Sequence, residues 1–330
     1  MSTAAPAAAP VIAVVVPTYR RPDLLARCLT ALMAQTVPAG EYEIIVADDG
    51  PDDETEAVVA SLAHAAGAPR MHYLRVTATQ GPAGARNRGW HSSAAGWIAF
   101  TDDDTIPDAD WLRQGMAALA LGAAAAVGST VVPMSATPTD HERDIAELRA
   151  GEFTTANCFL TRQALLEAGG FDERYTQPWR EGADLHFALM EKGLTIMRAP
   201  GALVTHPVRP APWGVSVRLQ RKVMYDVLLY RKYPRQYRQR IHTAPPVNYY
   251  AIVIALAAAL IGLMSDQMGI ALAGLIVWLV LTATFCQQRL QGTSHSWAHV
   301  ADMALTSMVI PPLALFWRAV GGLRYRVLFF

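Results

Sequence analysis

Cysteine is nearly absent from this chain: Cys28, Cys158 and Cys286 are three in 330 residues, far apart and without a CxxC pair. That excludes a disulfide framework and a thiolate zinc site, and it fits a reducing cytosol. Net charge is absent too, since 28 Lys and Arg offset 28 Asp and Glu. No overall basic excess exists to hold nucleic acid. No GxxxxGK[ST] occurs, and no GxGxxG follows the first apolar run, so neither a P-loop nor a dinucleotide fingerprint is available. Met1 to Pro10 is Ala/Pro-rich with no basic n-region, and reads as a disordered tail over 1–10 rather than a signal peptide. There is no internal repeat.

The charges that are present are segregated. Residues 1–204 carry 25 acidic and 15 basic side chains, whereas 205–246 carry nine Lys and Arg against Asp226 alone. Beyond 246 only Asp266, Arg289, Asp302, Arg318, Arg324 and Arg326 are charged. The order is acidic globule, basic collar, apolar tail. Residues 243–265 and 267–288 contain no charge, and each stretch is long enough for roughly 30 Å of hydrocarbon. They predict two membrane helices, about 247–265 and 267–287, with Ser265-Asp266-Gln267 as the turn. A third apolar segment, 303–317, carries Pro311-Pro312 and is expected to be broken there, re-entrant or interfacial. The collar, 211–246, interleaves Arg218, Arg221, Lys222, Arg231 and Lys232 with apolar and aromatic residues. It reads as a basic amphipathic region on an anionic membrane surface, not a nucleic-acid site.

Ahead of the collar, short apolar runs alternate with helical patterns. Val11 to Val16 is a β-branched run that stops at Pro17, and Leu24, Leu25, Cys28, Leu29 and Leu32 then share a helix face. Further strands are expected at 43–47, 71–76 and 97–101, helices at 54–66 and 85–94, and a Gly-rich turn at 80–84. The pattern predicts an α/β fold with a doubly wound parallel sheet. Acidic residues recur where strands end: Asp48 and Asp49 after the second, Asp102, Asp103 and Asp104 after the fourth. Ligands of open α/β sheets bind at that edge. Three adjacent carboxylates there are costly unless a cation offsets them. With Arg86 close by, they suggest a nucleoside diphosphate and a hard divalent ion.

The ordered set of motifs over about 210 residues resembles the family 2 inverting glycosyltransferases. The set is Val16-Pro17-Thr18-Tyr19, Val46-Ala47-Asp48-Asp49-Gly50, Gly84-Ala85-Arg86-Asn87-Arg88-Gly89, Thr101-Asp102-Asp103-Asp104, Gly170-Phe171-Asp172, Glu181-Gly182-Ala183-Asp184-Leu185 and a distal His206. The resemblance implies a GT-A fold over 11–210, Rossmann-like with a mostly parallel sheet, followed by membrane helices over 247–330. It implies a nucleotide-diphospho-sugar donor and a divalent metal, Mg2+ or Mn2+. Pro17, Thr18, Tyr19, Asp48, Asp49, Arg86, Asp102 and Asp103 would bind the nucleotide sugar, and Asp104, Asp102 and His206 the metal. An Asp after the second strand commonly meets the imide edge of uracil, so a UDP-sugar is favoured. Trp179 is a candidate for stacking on the acceptor.

The pattern departs from the family at one position. Members commonly read Glu-Asp-x-Asp-Leu, and the Asp after Glu deprotonates the acceptor; here that position is Gly182. Glu181 or Asp184 must then serve as base, or the acceptor is already ionised, or the domain has decayed. The leading expectation is in-line displacement onto a hydroxyl of a lipid-linked or glycan acceptor. A bacterial-type inner membrane with the catalytic domain cytosolic accommodates it, because nucleotide sugars are cytosolic and the collar obeys the positive-inside rule. A polyprenyl-phosphate sugar synthase and a decayed membrane scaffold are the alternatives.

Overall fold

The structure is a computed structural model that describes residues 10–78 and 81–329. The tail expected over 1–10 lies outside the described residues except for Pro10, and so does Gln80 of the Gly-rich turn. The chain divides into two compact units, 1–133 with 148–207 and 134–147 with 208–330.

The first unit opens with β1 (Ile12–Thr18), α1 (Pro22–Met33), β2 (Tyr42–Asp48), α2 (Asp53–Ala63), β3 (Arg70–Arg75), α3 (Pro82–Ser92) and β4 (Trp97–Thr101). β1 and β2 are buried throughout, as continuous apolar runs in a two-sided sheet should be. Pro22 starts α1 with its φ already helical, and the Asp52 side chain caps α2 by accepting from the Thr55 N–H. Ile12, Val14 and Val16 face one cluster with Leu25, Cys28, Leu29 and Leu32 of α1. Val15, on the opposite face, meets Gly89 of α3 so closely that a Cβ there would lie 2.4 Å from it. Helices therefore cover both faces.

Next come β5 (Ile106–Pro107), α4 (Trp111–Ala120), β6 (Ala125–Val131), and α5 (Asp140–Ala146), which falls in the second unit. β7 (Asn157–Thr161), α6 (Arg162–Ala168), α7 (Glu181–Glu191) and β8 (Ile196–Thr205) complete the first unit. The eight strands form one sheet in the order β3-β2-β1-β4-β7-β6-β8-β5. The expected parallel winding holds for β3, β2, β1 and β4. It then gives way to a mixed sheet, because β7 runs antiparallel to both β4 and β6, and β5 antiparallel to β8. The fold is GT-A-like, mixed but mostly parallel.

In the second unit the collar forms α8 (Val215–Leu219), a 3-10 turn at 220–222, α9 (Val223–Lys232) and α10 (Pro234–Arg240). It is not a single amphipathic helix. Pro234 ends α9, and Met224 to Leu229 are buried all round. α11 (Val247–Met264) and α12 (Met268–Leu290) pack as a hairpin, and α13 (Trp297–Tyr325) follows. All three are long and apolar enough to cross a membrane. The break expected at Pro311-Pro312 does not occur, since both prolines lie inside α13. One turn earlier, Thr306 and Ser307 bond Arg289 of α12, so packing holds the helix where two prolines would weaken it.

Candidate active site

Thr18 and Asp48 are register partners in parallel neighbours β1 and β2, and β4 flanks β1 on the other side. The segments leaving these strands thus share one sheet edge. Pro17 and Thr18 are buried in β1, and the Thr18 hydroxyl donates to Asp103 Oδ2 at 2.7 Å. Arg21 adds two ion pairs, Nε to Asp103 Oδ2 at 3.2 Å and a terminal nitrogen to Asp104 Oδ2 at 3.3 Å. Burial pushes the Asp103 carboxyl up to about 7, with Asp104 and Asp102 adding to the rise and Arg21 and Thr18 opposing it. Its Oδ1 is buried without a hydrogen-bond partner.

Arg86 ties the triplet to the far end of the sequence. From α3 it donates to Asp102 Oδ1 at 2.6 Å and to Glu181 Oε1 at 3.2 Å. Its side chain is 2 % exposed. Burial alone would lower its pKa, but Asp102 and Glu181 outweigh that and hold it raised, so it stays a cation. The guanidinium lies 5.6 Å over the Phe171 ring. Beside it, the Asn87 amide accepts from the Phe171 N–H at 2.9 Å and donates to the Phe171 carbonyl at 2.8 Å. The Gly170-Phe171-Asp172 turn is thereby locked to α3.

Asp48 and Asp49 differ in what they have left to offer. Asp48 is fully buried and accepts from the Gly50 N–H at 2.9 Å and the Tyr73 hydroxyl at 2.7 Å. Asp49 accepts from the Gly81 N–H at 2.6 Å through Oδ2, and its Oδ1 is buried without a partner. Burial raises the Asp49 pKa, Gly81 opposes this and Asp48 adds to it. Asp49 therefore retains an acceptor for a ligand, while Asp48 braces the turn. Tyr19 is half exposed, with its ring against Gly50.

At the start of α7, Glu181 and Asp184 are both buried. Glu181 is committed to Arg86. Asp184 accepts from the Tyr175 hydroxyl at 3.1 Å; burial first, then Asp184, pushes that phenol well above its ordinary range. Between the two carboxylates, a Cβ on Gly182 would lie 2.9 Å from Thr155 Cγ2. The first turn of α7 packs too tightly for a larger residue without a shift. Trp179 precedes it, with the Arg180 guanidinium 4.6 Å over its ring, and Arg180 itself takes φ +71°. That left-handed conformation is costly for a non-glycine residue and sits directly before Glu181.

His206, anchored at the end of β8 by its N–H to the Val131 carbonyl, brings Nε2 to 3.4 Å from Asp104 Oδ1. Its Nδ1 is buried without a partner, as is Arg86 Nε. Orphaned buried atoms on Asp49, Asp103, Arg86 and His206 mark a site whose polar groups want a ligand. Among the described residues no group of three or more His, Cys, Asp or Glu could hold a metal by itself. Asp104 and His206 meet, while Asp102 turns one oxygen to Arg86. This donor set fits a hard cation that takes its remaining ligands from phosphate oxygens.

A sequence model described as Glycosyl transferase family group 2 matches residues 97–318, and one described as Glycosyl transferase family 2 matches residues 13–172. The chain belongs to the family 2 glycosyltransferases. It is 25% identical to Glycosyltransferase AglE of Haloferax volcanii over 213 residues, 61% of this chain and 68% of AglE. It is 34% identical over 96 residues to the GalNAc(5)-diNAcBac-PP-undecaprenol beta-1,3-glucosyltransferase of Campylobacter jejuni, 29% of this chain and 30% of that one. The glycosyltransferase thus spans two thirds of one relative and under a third of the other. Among solved structures, a mannosyltransferase of Pyrobaculum calidifontis in complex with GDP-Man and Mn2+ shares the fold, with TM-score 0.54 and 18% identity. The match covers 96% of this chain and 88% of that one.

Three groups of the glycosyltransferase site are not singled out by sequence patterns, Arg21 and the phenols Tyr73 and Tyr175, while Asn87 lies in the Gly84 to Gly89 motif without a role assigned to it. Tyr73 and Tyr175 fall in a strand and a loop where an aromatic residue signals only packing. Arg21 had a signal, since it lies two residues after the Thr18-Tyr19 motif, following Arg20, and carries a charge opposite to the triplet.

Proposed function

We propose that this glycosyltransferase moves a sugar from a nucleoside diphosphate, UDP favoured, to a hydroxyl of a lipid-linked or glycan acceptor, with inversion at C1. The observation that carries the reading is the Asp102–Arg86–Glu181 chain of ion pairs around the buried Arg86 guanidinium. It joins the sheet-edge carboxylates to the helix expected to supply the base, and places a permanent cation between them. Asp49 keeps an acceptor for the nucleobase, and Thr18 and Arg21 fix Asp103 after β4 on the same sheet edge. Asp184 is the preferred general base: Glu181 is bound by the Arg86 cation, while Asp184 takes a hydrogen bond from the uncharged Tyr175 hydroxyl. It would take the proton of the acceptor hydroxyl as that oxygen attacks C1. Arg86 offsets charge on the departing diphosphate. Asp104, His206 and Asp102 would hold the divalent metal, Mg2+ or Mn2+, which supplies further neutralisation of that diphosphate when bound.

The apolar helices would anchor the enzyme in a bacterial-type cytoplasmic membrane with the catalytic unit cytosolic, where a lipid-linked acceptor is confined to two dimensions. The collar would meet anionic headgroups.

The tight packing at Gly182 favours a second reading, transfer onto polyprenyl phosphate, whose oxygen is already ionised and needs no base. The test is a panel of UDP-, GDP- and dTDP-sugars offered to purified membranes with polyprenyl phosphate or glycosylated lipid as acceptor. Product on glycosylated lipid supports the first reading, and product on bare polyprenyl phosphate replaces it with the second. Donor binding without transfer to either would leave a decayed domain.

A further inference from the structure

α13 is long and apolar enough to cross a bilayer, yet its neighbours are arranged for something else. α8, the 3-10 turn and α9 run beside it in the same direction. The Gly214 N–H donates to Asp302 near the start of α13 at 3.1 Å. Further along, the Arg221 guanidinium lies 5.7 Å over Trp317, and Met224 and Val227 close on Gly321. At the end, Arg231 donates to the Tyr325 carbonyl at 2.6 Å. The contacts advance together along about 35 Å of helix at 1.5 Å per residue. A crossing α13 would therefore carry α8 and α9 across with it, and with them Arg218, Arg221, Lys222, Arg231 and Lys232. Chains avoid placing such a set in hydrocarbon.

The foot of the α11–α12 hairpin makes the same point. Arg289, at the end of α12, bonds Thr306 at 2.7 Å and Ser307 at 3.1 Å. Tyr249, near the start of α11, packs edge-on against Phe285 of α12 with 5.3 Å between ring centroids. These contacts fall at the same end of the hairpin, and they bring α13 against it at Thr306 and Ser307. Beyond Tyr325, Phe329 packs against Tyr230 and Tyr237, with Arg238 5.8 Å from its ring. The basic collar thus holds both ends of α13.

One face of α13 is left apolar and exposed, along Leu305, Met308, Phe316 and Leu323. Its other face, Met303, Thr306, Ile310, Ala314 and Gly321, is covered. Trp297, exposed at the start, and Arg324 and Arg326 at the end suit a headgroup boundary.

We propose that α13 does not cross the membrane but lies in its interface, backed by α8 and α9, with its exposed apolar face on the acyl chains at the headgroup boundary. The chain then crosses twice, by α11 and α12, and Arg318, Arg324 and Arg326 stay on the side of the collar. The positive-inside rule is satisfied at every basic segment of this unit.

The test uses the full chain in sealed spheroplasts and inverted vesicles, with one epitope tag in the turn at Asp266 and another after Phe330. Opposite-side antibody access for the two tags is expected, and same-side access establishes three crossings and overturns the proposal. A second measurement does not depend on tag insertion. Nitroxide labels on cysteines placed at Leu305, Met308, Phe316 and Leu323 are read for depth in phosphatidylethanolamine–phosphatidylglycerol vesicles. Cys286 is replaced by Ser, and Cys28 and Cys158 are buried. Uniformly shallow labels are expected. A profile passing through the bilayer centre overturns the proposal, as do labels that are shielded from lipid and show dipolar coupling between two copies. Neither readout uses transfer activity, so failure here is separable from failure of the catalytic assignment.

Discussion

Arg86 and Glu181 are 95 positions apart and meet in a buried ion pair of 3.2 Å. The same guanidinium holds Asp102, so one residue of α3 joins the acidic triplet to the helix proposed to carry the base. Arg86→Met would leave both carboxylates without their counter-charge. Breaking a buried pair in this way costs about 3–5 kcal/mol, and loss of nucleotide-sugar binding should accompany it. Arg86→Lys, a point charge without the two-pronged geometry, should fall between. Denaturant unfolding alongside nucleotide titration reads both effects. Wild-type stability and binding in Arg86→Met would show the bridge to be incidental.

The two carboxylates of α7 should separate on substitution. Asp184→Asn should slow turnover by ~10²–10⁴-fold with donor affinity kept. Glu181→Gln should weaken donor binding and stability as well, because it strips a partner from Arg86. Single-turnover rates with donor titrations distinguish the patterns. Normal turnover by Asp184→Asn would point to an acceptor that arrives ionised.

How much of this was readable beforehand depends on the range of each interaction. β1, α1 and β2 announce themselves through local apolar runs and 3.6-residue spacing, and the acidic strand ends follow from topology. The stretch from Ile106 to Ala150 is legible only in part: Trp111, Leu112, Ala118 and Leu119 keep the helical spacing that forms α4, but the strands around it have no such local signal. Its strands β5 and β6 are fixed by partners distant in the chain, β8 and β7, and the antiparallel turn of the sheet went unread with them. Asp48 and Asp49 look equivalent as letters, and only the Tyr73 hydroxyl and the Gly81 N–H tell them apart. Pro311-Pro312 reads as a helix break by local rules, yet the neighbouring turn is pinned by Arg289 from another helix.

Arg21 occupies Asp103 and Asp104 with two ion pairs while about a third exposed. Any cation bound there competes with it. Arg21→Met should lower the melting temperature in the absence of metal, by about 2–4 °C if the pairs contribute about 1 kcal/mol. Added Mn2+ should restore more stability to the variant than to the parent. Identical Mn2+-dependent shifts in both would separate Arg21 from the metal site.

Asp104→Ala should abolish metal-dependent nucleotide binding with the fold intact, since Asp104 lies at a strand-end turn outside the apolar core. His206→Ala should weaken the same dependence less, because its link to Asp104 is a single contact of 3.4 Å. Mn2+ titration followed by nucleotide binding measures both. Wild-type metal dependence in Asp104→Ala would move the metal elsewhere.

Arg289 holds the second unit as Arg86 holds the first. Its guanidinium reaches Asp140 at 2.8 Å and Ser216 at 3.0 Å, besides Thr306 and Ser307. It gathers α5, α8, α12 and α13 at one point. Asp140 supplies the only carboxylate among these four partners, and the Thr139 capping box fixes the helix that presents it. Arg289→Met should therefore be destabilising, by less than the ~3–5 kcal/mol of a fully buried pair because 27 % of the Asp140 side chain is exposed. Asp140→Asn, which keeps a hydrogen-bond acceptor, should cost less. The double variant should fall short of the sum by about 0.5–3 kcal/mol if the two act on each other. Denaturant unfolding in detergent micelles measures all three. Additive losses would mean that the two side chains stabilise the unit separately, and that the hydroxyls of Ser216, Thr306 and Ser307 hold Arg289 without Asp140.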